Sequence, residues 1–182
     1  MPRLAPLDLE NLTPEQQAVA QAIISGPRGG LRGPFESWLR SPELAARAQA
    51  LGEYCRFGSS LPRDLSEFAI ILTGKHWRSQ FEFWAHARLA REAGLPEDII
   101  EAVRTGQPPV CRNAAQQAIY DLVTEYFATN RVAADTYARA LAELGERGLV
   151  DLVGIVGYYG LVSMTLNIFE VELPAGQAEP LA

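Results

Sequence analysis

The sequence predicts an all-α fold of about eight helices, and three observations carry that expectation. Apolar residues recur at helical spacing: Phe68, Ile71 and Leu72 share one face, and Phe81, Trp84 and Ala85 another. Cap and stop residues punctuate the chain, with Thr13-Pro14-Glu15-Gln16 and Ser41-Pro42-Glu43 opening helices and Gly94, Gly106 and Gly145 closing them. No strand-like alternation of any length occurs before the tail.

In chain order, residues 1–12 read as an extended arm, and a first helix runs from Thr13 to about Ile24. The stretch SGPRGGLRGPF then ends regular structure with four glycines and two prolines. Its Arg28 and Arg32 suit an anionic ligand but read first as solvated loop arginines. The helix after Ser41 presents Leu44, Ala48, Leu51, Tyr54 and Cys55 as its apolar stripe and stops at Gly58. Leu61-Pro62-Arg63-Asp64 opens the helix that contains Glu67; Ser79 opens the next, which ends at Gly94. A short helix follows Pro96. Asn113 caps one reaching about Thr129, with Ala118, Ile119, Leu122, Val123 and Tyr126 turned inward. Another runs from about Ala133 to Leu144.

Leu149 to Phe169 is apolar on nearly every face, which calls for burial on all sides. A domain of this size has few places for such a helix without a neighbouring subunit. A homo-oligomer with this helix at or near the interface is therefore expected. The segment nears membrane length, but Asp151, Asn167 and its small and hydroxyl residues favour a buried helix over a span. Three regions follow: an arm, helix and glycine-rich loop over 1–34, a main domain over 35–173, and a flexible tail over 174–182.

The 182 residues suffice for one full core, and a net charge of −6 with no basic run argues against nucleic acid. The N-terminal residues lack an apolar signal core. Two cysteines, Cys55 and Cys111, form no paired motif, which suits a reducing cytoplasm. No dinucleotide or phosphate loop and no metal-ligand spacing occurs, so neither cofactor nor metal is expected.

Most of the chemistry lies between Glu67 and Gly94. Ser79 and Glu82 have the spacing of a capping box, which by itself accounts for both. His86 lies one turn beyond Glu82 on the same face, and Glu67 reaches toward it from the preceding helix. An imidazole between two carboxylates is oriented and stabilised in its protonated form. The bland alternatives are a histidine that bonds a partner helix and a first-turn glutamate favoured by the helix dipole. Trp77 and Trp84 suit core or interface as well as a pocket wall, and His76 lies in the break between the helices.

Glu67, eleven residues, Ser79, two residues, Glu82, three residues, His86: this frame resembles the carboxymuconolactone decarboxylase family, which includes alkylhydroperoxidase D. The peroxidase branch has cysteines where Ser79 and Glu82 stand. The stretches LPRDLSEFAIILTG, FEFWAHARLAREAGLPEDIIEAV and LVDLVGIVGYYGLVSMTLNIF extend the likeness over roughly residues 35–173. The resemblance implies an all-α alkylhydroperoxidase D-like domain that forms trimers or hexamers. It further implies a small-molecule substrate and cofactor-free acid/base chemistry, either decarboxylation or a related lactone reaction. His86 would be the acid/base, Glu67 its orienting partner, and Glu82 a second base or cap. Ser79 would hold a carboxylate or oxyanion. Trp77, Trp84, Tyr158, His76 and Arg78 would surround the substrate. Dithiol peroxidase chemistry needs a thiolate that Ser79 and Glu82 cannot supply. An oligomeric binding protein without catalysis is the remaining alternative.

Overall fold

The computed structural model describes residues 2–181. Eight α-helices and no strand occur among them: α1 Pro14–Ser25, α2 Phe35–Trp38, α3 Pro42–Glu53, α4 Arg63–His76, α5 Gln80–Glu92, α6 Glu97–Thr105, α7 Ala114–Thr129 and α8 Ala134–Ile168. A π-helical turn, Tyr54–Gly58, extends α3. The starts obey their caps. Thr13 Oγ1 accepts from the Gln16 N–H while Gln16 Oε1 accepts from the Thr13 N–H, and Asn113 Oδ1 accepts from the Gln116 N–H. Gly106 closes α6 in the left-handed conformation.

The core is built around α4, where Leu65 to Gly74 are buried without interruption. α5, α6, α7 and α8 all pack against it. Phe68, Ile70 and Ile71 are fully enclosed, and each such side chain is worth about 1.5–3 kcal/mol of burial. The helix therefore has no solvent face along this stretch, and its one buried carboxylate, Glu67, must find a partner inside.

α3 departs from the expected stripe. Leu44, Leu51 and Tyr54 are exposed, and the buried face is Ala45, Ala48, Gly52 and Cys55. Small residues win the inward face because Tyr158 and Arg28 press directly on Gly52, where a Cβ would overlap both side chains. The π-turn then places Cys55 in the core while Arg56 faces a cavity.

α8 is one continuous element with a kink at Gly145, which takes φ 67°. Its second half buries one face through Leu149, Leu152, Ile155, Tyr158, Tyr159, Val162 and Leu166. Val150, Val153, Met164 and Ile168 are exposed in the single chain, so burial is one-sided rather than all-round. α8 is long and apolar enough to cross a membrane by length and composition, and 56% of its most apolar 18-residue window lies inside the molecule.

The tail is pinned rather than fraying. Leu181 is buried, its N–H donates to Gln80 Oε1, and its carbonyl accepts from Gln80 Nε2. Trp84 Nε1 donates to Gln177 Oε1, and Arg104 Nη1 to the Pro180 carbonyl. Proline and glycine content marked this segment as irregular; the glutamine side chains that hold it lie elsewhere.

Candidate active site

Glu67 and His86 meet because α4 and α5 pack as an antiparallel pair joined by a tight turn. Gly74 allows the close approach, since a Cβ there would lie 3.3 Å from Glu82 Cγ. His86 Nδ1 is 2.6 Å from Glu67 Oε2, and His86 Nε2 is 3.3 Å from Glu82 Oε1. All three side chains are buried. The imidazole thus stands between two carboxylates, one from each helix.

Glu82 is free for this role because the capping box does not form. The Ser79 N–H donates to the Gly74 carbonyl at 2.9 Å, so the carboxylate has no N–H to reach back for. The Ser79 hydroxyl makes no cap bond and is buried without a partner. Burial chiefly pushes the Glu82 carboxyl up to about 7; the His86 charge pulls against this and the Glu67 charge adds to it. A buried acid that titrates near neutrality, beside an imidazole, is a proton store.

The cluster opens on a cavity of about 190 Å³ lined by Glu82, His86, Phe81, Trp84, Tyr158 and Tyr159 on one side. Arg28, Arg32, Gly33 and Phe35 from the glycine-rich loop and the start of α2, with Arg56 from the π-turn, close the other. That volume holds about six water-sized groups. It falls below the roughly 300–1,000 Å³ of sites for drug-sized ligands, so a small metabolite is the fitting guest.

Tyr159 packs edge-on against His86 with ring centroids 4.8 Å apart. Its hydroxyl is buried and without a partner, and burial holds it well above the usual phenol range. It is a neutral donor. Tyr158 is likewise pushed up by burial, to about 12, and its oxygen lies 3.5 Å from Arg28 Nη2.

The structure brings Glu67, Glu82, His86, Trp84 and Tyr158 to one place. It does not bring Ser79, His76, Trp77 or Arg78 to this cavity. Ser79 lines a separate space beneath the C-terminal tail. His76 stacks on Phe127 with centroids 3.9 Å apart, and Trp77 lines an apolar groove between α7 and α8. Arg78 occupies the turn with φ 50°. The reason is distance along the helix: His76 lies nine residues beyond Glu67, about 13 Å at 1.5 Å per residue. The turn therefore closes one end of the hairpin while the chemistry sits near its middle. Arg56 and Tyr159 were not assigned to the site from sequence. Tyr159 follows Tyr158 on α8 and was noted only as a second hydroxyl; nothing local marks Arg56.

Cys55 is buried, and burial pushes its thiol up to about 11, with the Asp151 charge adding to this. Cys111 is raised by burial as well. Neither lines the cavity. Among the described residues no group of three or more His, Cys, Asp or Glu side chains is arranged to hold a metal ion.

No family model and no curated protein matches the sequence. Solved structures do. An uncharacterized peroxidase-related protein from Silicibacter sp. TM1040 aligns with a TM-score of 0.78 at 12% identity, over 97% of this chain and 95% of its own. An uncharacterized peroxidase-related protein from Ralstonia eutropha JMP134, described as an alkylhydroperoxidase AhpD core, aligns with 0.78 at 12%, over 96% and 93%. A protein of unknown function from Agrobacterium tumefaciens, described as a putative antioxidant defence protein AhpD, aligns with 0.67 at 17%, over 79% and 99%. At these identities the likeness is one of architecture, and the chain has an AhpD-like all-α fold.

Proposed function

We propose that this protein is a small-molecule enzyme of the carboxymuconolactone decarboxylase type, performing cofactor-free acid/base chemistry on a small carboxylate or lactone. The observation that carries the reading is the imidazole of His86 held between Glu67 at 2.6 Å and Glu82 at 3.3 Å, at the wall of a closed polar cavity. Glu67 orients the ring and stabilises its charged form. His86 and Glu82 share a titratable proton on the cavity side. In a decarboxylation, the bond to the leaving carboxylate breaks and its electron pair moves onto a conjugated carbonyl, giving an enolate and carbon dioxide. The His86–Glu82 pair then delivers a proton to carbon and recovers it from water. We assign the unpartnered Tyr159 hydroxyl as the donor to the enolate oxygen.

The dithiol peroxidase alternative draws no support from Cys55, whose raised and buried thiol is the opposite of an activated thiolate. A purely binding role leaves a buried acid titrating near neutrality without a use. We further infer that the chain assembles with copies of itself through the exposed apolar side of α8, where Val150, Val153 and Met164 face outward.

The test is a screen of small lactones and keto acids for turnover, followed by His86→Ala and Glu67→Gln on any substrate found. A loss of about 10²–10⁴-fold in kcat is expected for His86→Ala. Undiminished rates in both variants remove the pair from the mechanism. Peroxide reduction abolished by Cys55→Ser or Cys111→Ser would replace this reading with the redox one.

A further inference from the structure

The chain carries a net charge of −6, yet the cavity is rimmed by guanidinium groups. Elsewhere arginines are neutralised by neighbours: Arg91 by Glu97, Arg104 by Glu101, Arg112 by Asp98, Arg88 by Glu92. Arg28 is different. It is partly buried and lines the cavity, and among the described residues it has no carboxylate within 4 Å. Its Nε is buried without any partner. Its Nη2 lies 3.5 Å from the Tyr158 hydroxyl, a weak contact that leaves the phenol's own proton free to donate. The group is nonetheless held in place. Its Cζ sits 5.1 Å over the Phe35 ring, and the absence of a side chain on Gly52 makes the space it and Tyr158 occupy. A guanidinium fixed by packing and left without a counter-ion matches a planar anion.

We propose that Arg28, with the Tyr158 hydroxyl beside it, is the specificity-determining anchor for a carboxylate of the substrate, so that the cavity selects anionic over neutral guests. The proposal deepens the acid/base reading of the same cavity, on which the word substrate rests, but the binding claim stands apart from turnover. It assigns a task to the glycine-rich loop. That segment precedes the region resembling the carboxymuconolactone decarboxylases and supplies the cavity's second wall. Arg56 and Arg32, which also line the cavity without a carboxylate partner among the described residues, reinforce the same sign of potential. The Arg28 charge already acts on Glu82 across the cavity. An anion seated between them therefore raises the proton affinity of Glu82, readying it as an acid.

The experiment is titration calorimetry on the full chain at pH 7 with acetate, succinate, glutarate and benzoate, each against its neutral amide. At least one acid is expected to bind ten-fold or more tightly than its amide. In Arg28→Met that preference falls below about three-fold. In Arg28→Lys, which keeps the charge but not the fork, part of it survives. Arg47→Met, on an exposed ion pair of α3, leaves it unchanged. A measurement on the unaltered protein guards against misfolding of the variants: the Arg28 Nε–H resonance shifts on adding the acid and not the amide. Acids and amides binding alike, neither binding, a preference that survives Arg28→Met, or an unmoved resonance would each overturn the proposal. The two readings separate cleanly. Acid binding through Arg28 without any His86-dependent turnover sinks the enzyme and keeps the anchor. His86-dependent turnover of neutral substrates, indifferent to Arg28→Met, does the reverse.

Discussion

Two concave regions of this molecule look alike in outline and differ in every chemical respect. One is the cavity of about 190 Å³ beside His86; the other is an apolar groove of about 550 Å³ between α7 and α8, lined by Trp77, Tyr126, Phe127, Val153 and Met164. The groove is larger and holds no buried charge. The cavity is small and gathers Glu82, His86, Tyr159 and Arg28, several of their polar atoms buried without partners. Size marks a place for apolar surface to meet apolar surface. Unsatisfied polar groups mark a place for chemistry, because each costs free energy unless a guest or solvent answers it.

The largest effect that tests this contrast is expected from His86→Ala. It leaves Glu67 and Glu82 facing each other with no cation between them. A loss of about 3–5 kcal/mol in urea unfolding is expected at pH 8, shrinking toward pH 4 as the carboxyls take up protons; a loss equal at both pH values would mean that packing alone was removed. Glu82→Gln acts in the other direction. Between the ordinary carboxyl value of 4.5 and about 7 the folded chain binds more protons than the unfolded one. Wild type therefore loses stability as pH rises through that window, by up to about 3 kcal/mol for a shift of this size. The glutamine variant does not, so its stability relative to wild type should climb from pH 4.5 to pH 7 and then level off. A flat difference across that range would show that Glu82 titrates normally.

Smaller effects sharpen the contrast. Gly52→Ala pushes against Tyr158 and Arg28 and should cost about 1–3 kcal/mol in thermal or urea unfolding. It should also weaken binding of any carboxylate guest. Val153→Glu in the groove should leave the cavity untouched and shift sedimentation toward the monomer; an unchanged assembly would move the interface elsewhere. Least of all, Cys55 should resist iodoacetamide at pH 8 in the folded chain, given a thiol raised to about 11. Rapid labelling would reopen thiol chemistry.

Much of this architecture was legible in the residues. Helical spacing and caps place α4 and α5, and the interval from Glu67 to His86 brings that pair together across the hairpin. What could not be read is where two acceptors compete for one donor. The Ser79 N–H had a candidate in Glu82 by local spacing and another in the Gly74 carbonyl by tertiary approach, and the carbonyl wins. The same limit applies to α3, whose inward face is chosen by Tyr158 from more than a hundred residues away. Arg28 carries no local signature at all. A loop arginine becomes a site residue only when Phe35 and Gly52 fix it.

The π-turn at Tyr54–Gly58 has its own consequence. A π-turn holds one residue more than the α-helix it replaces. Deleting a single residue there would let the helix relax to α pitch and swing the following side chains by roughly 100°. Arg56 would leave the cavity wall and Cys55 the interior together. Contraction by one amino acid at this point is thus a compact route by which a descendant of this protein would lose a positive group at its pocket while every helix survived.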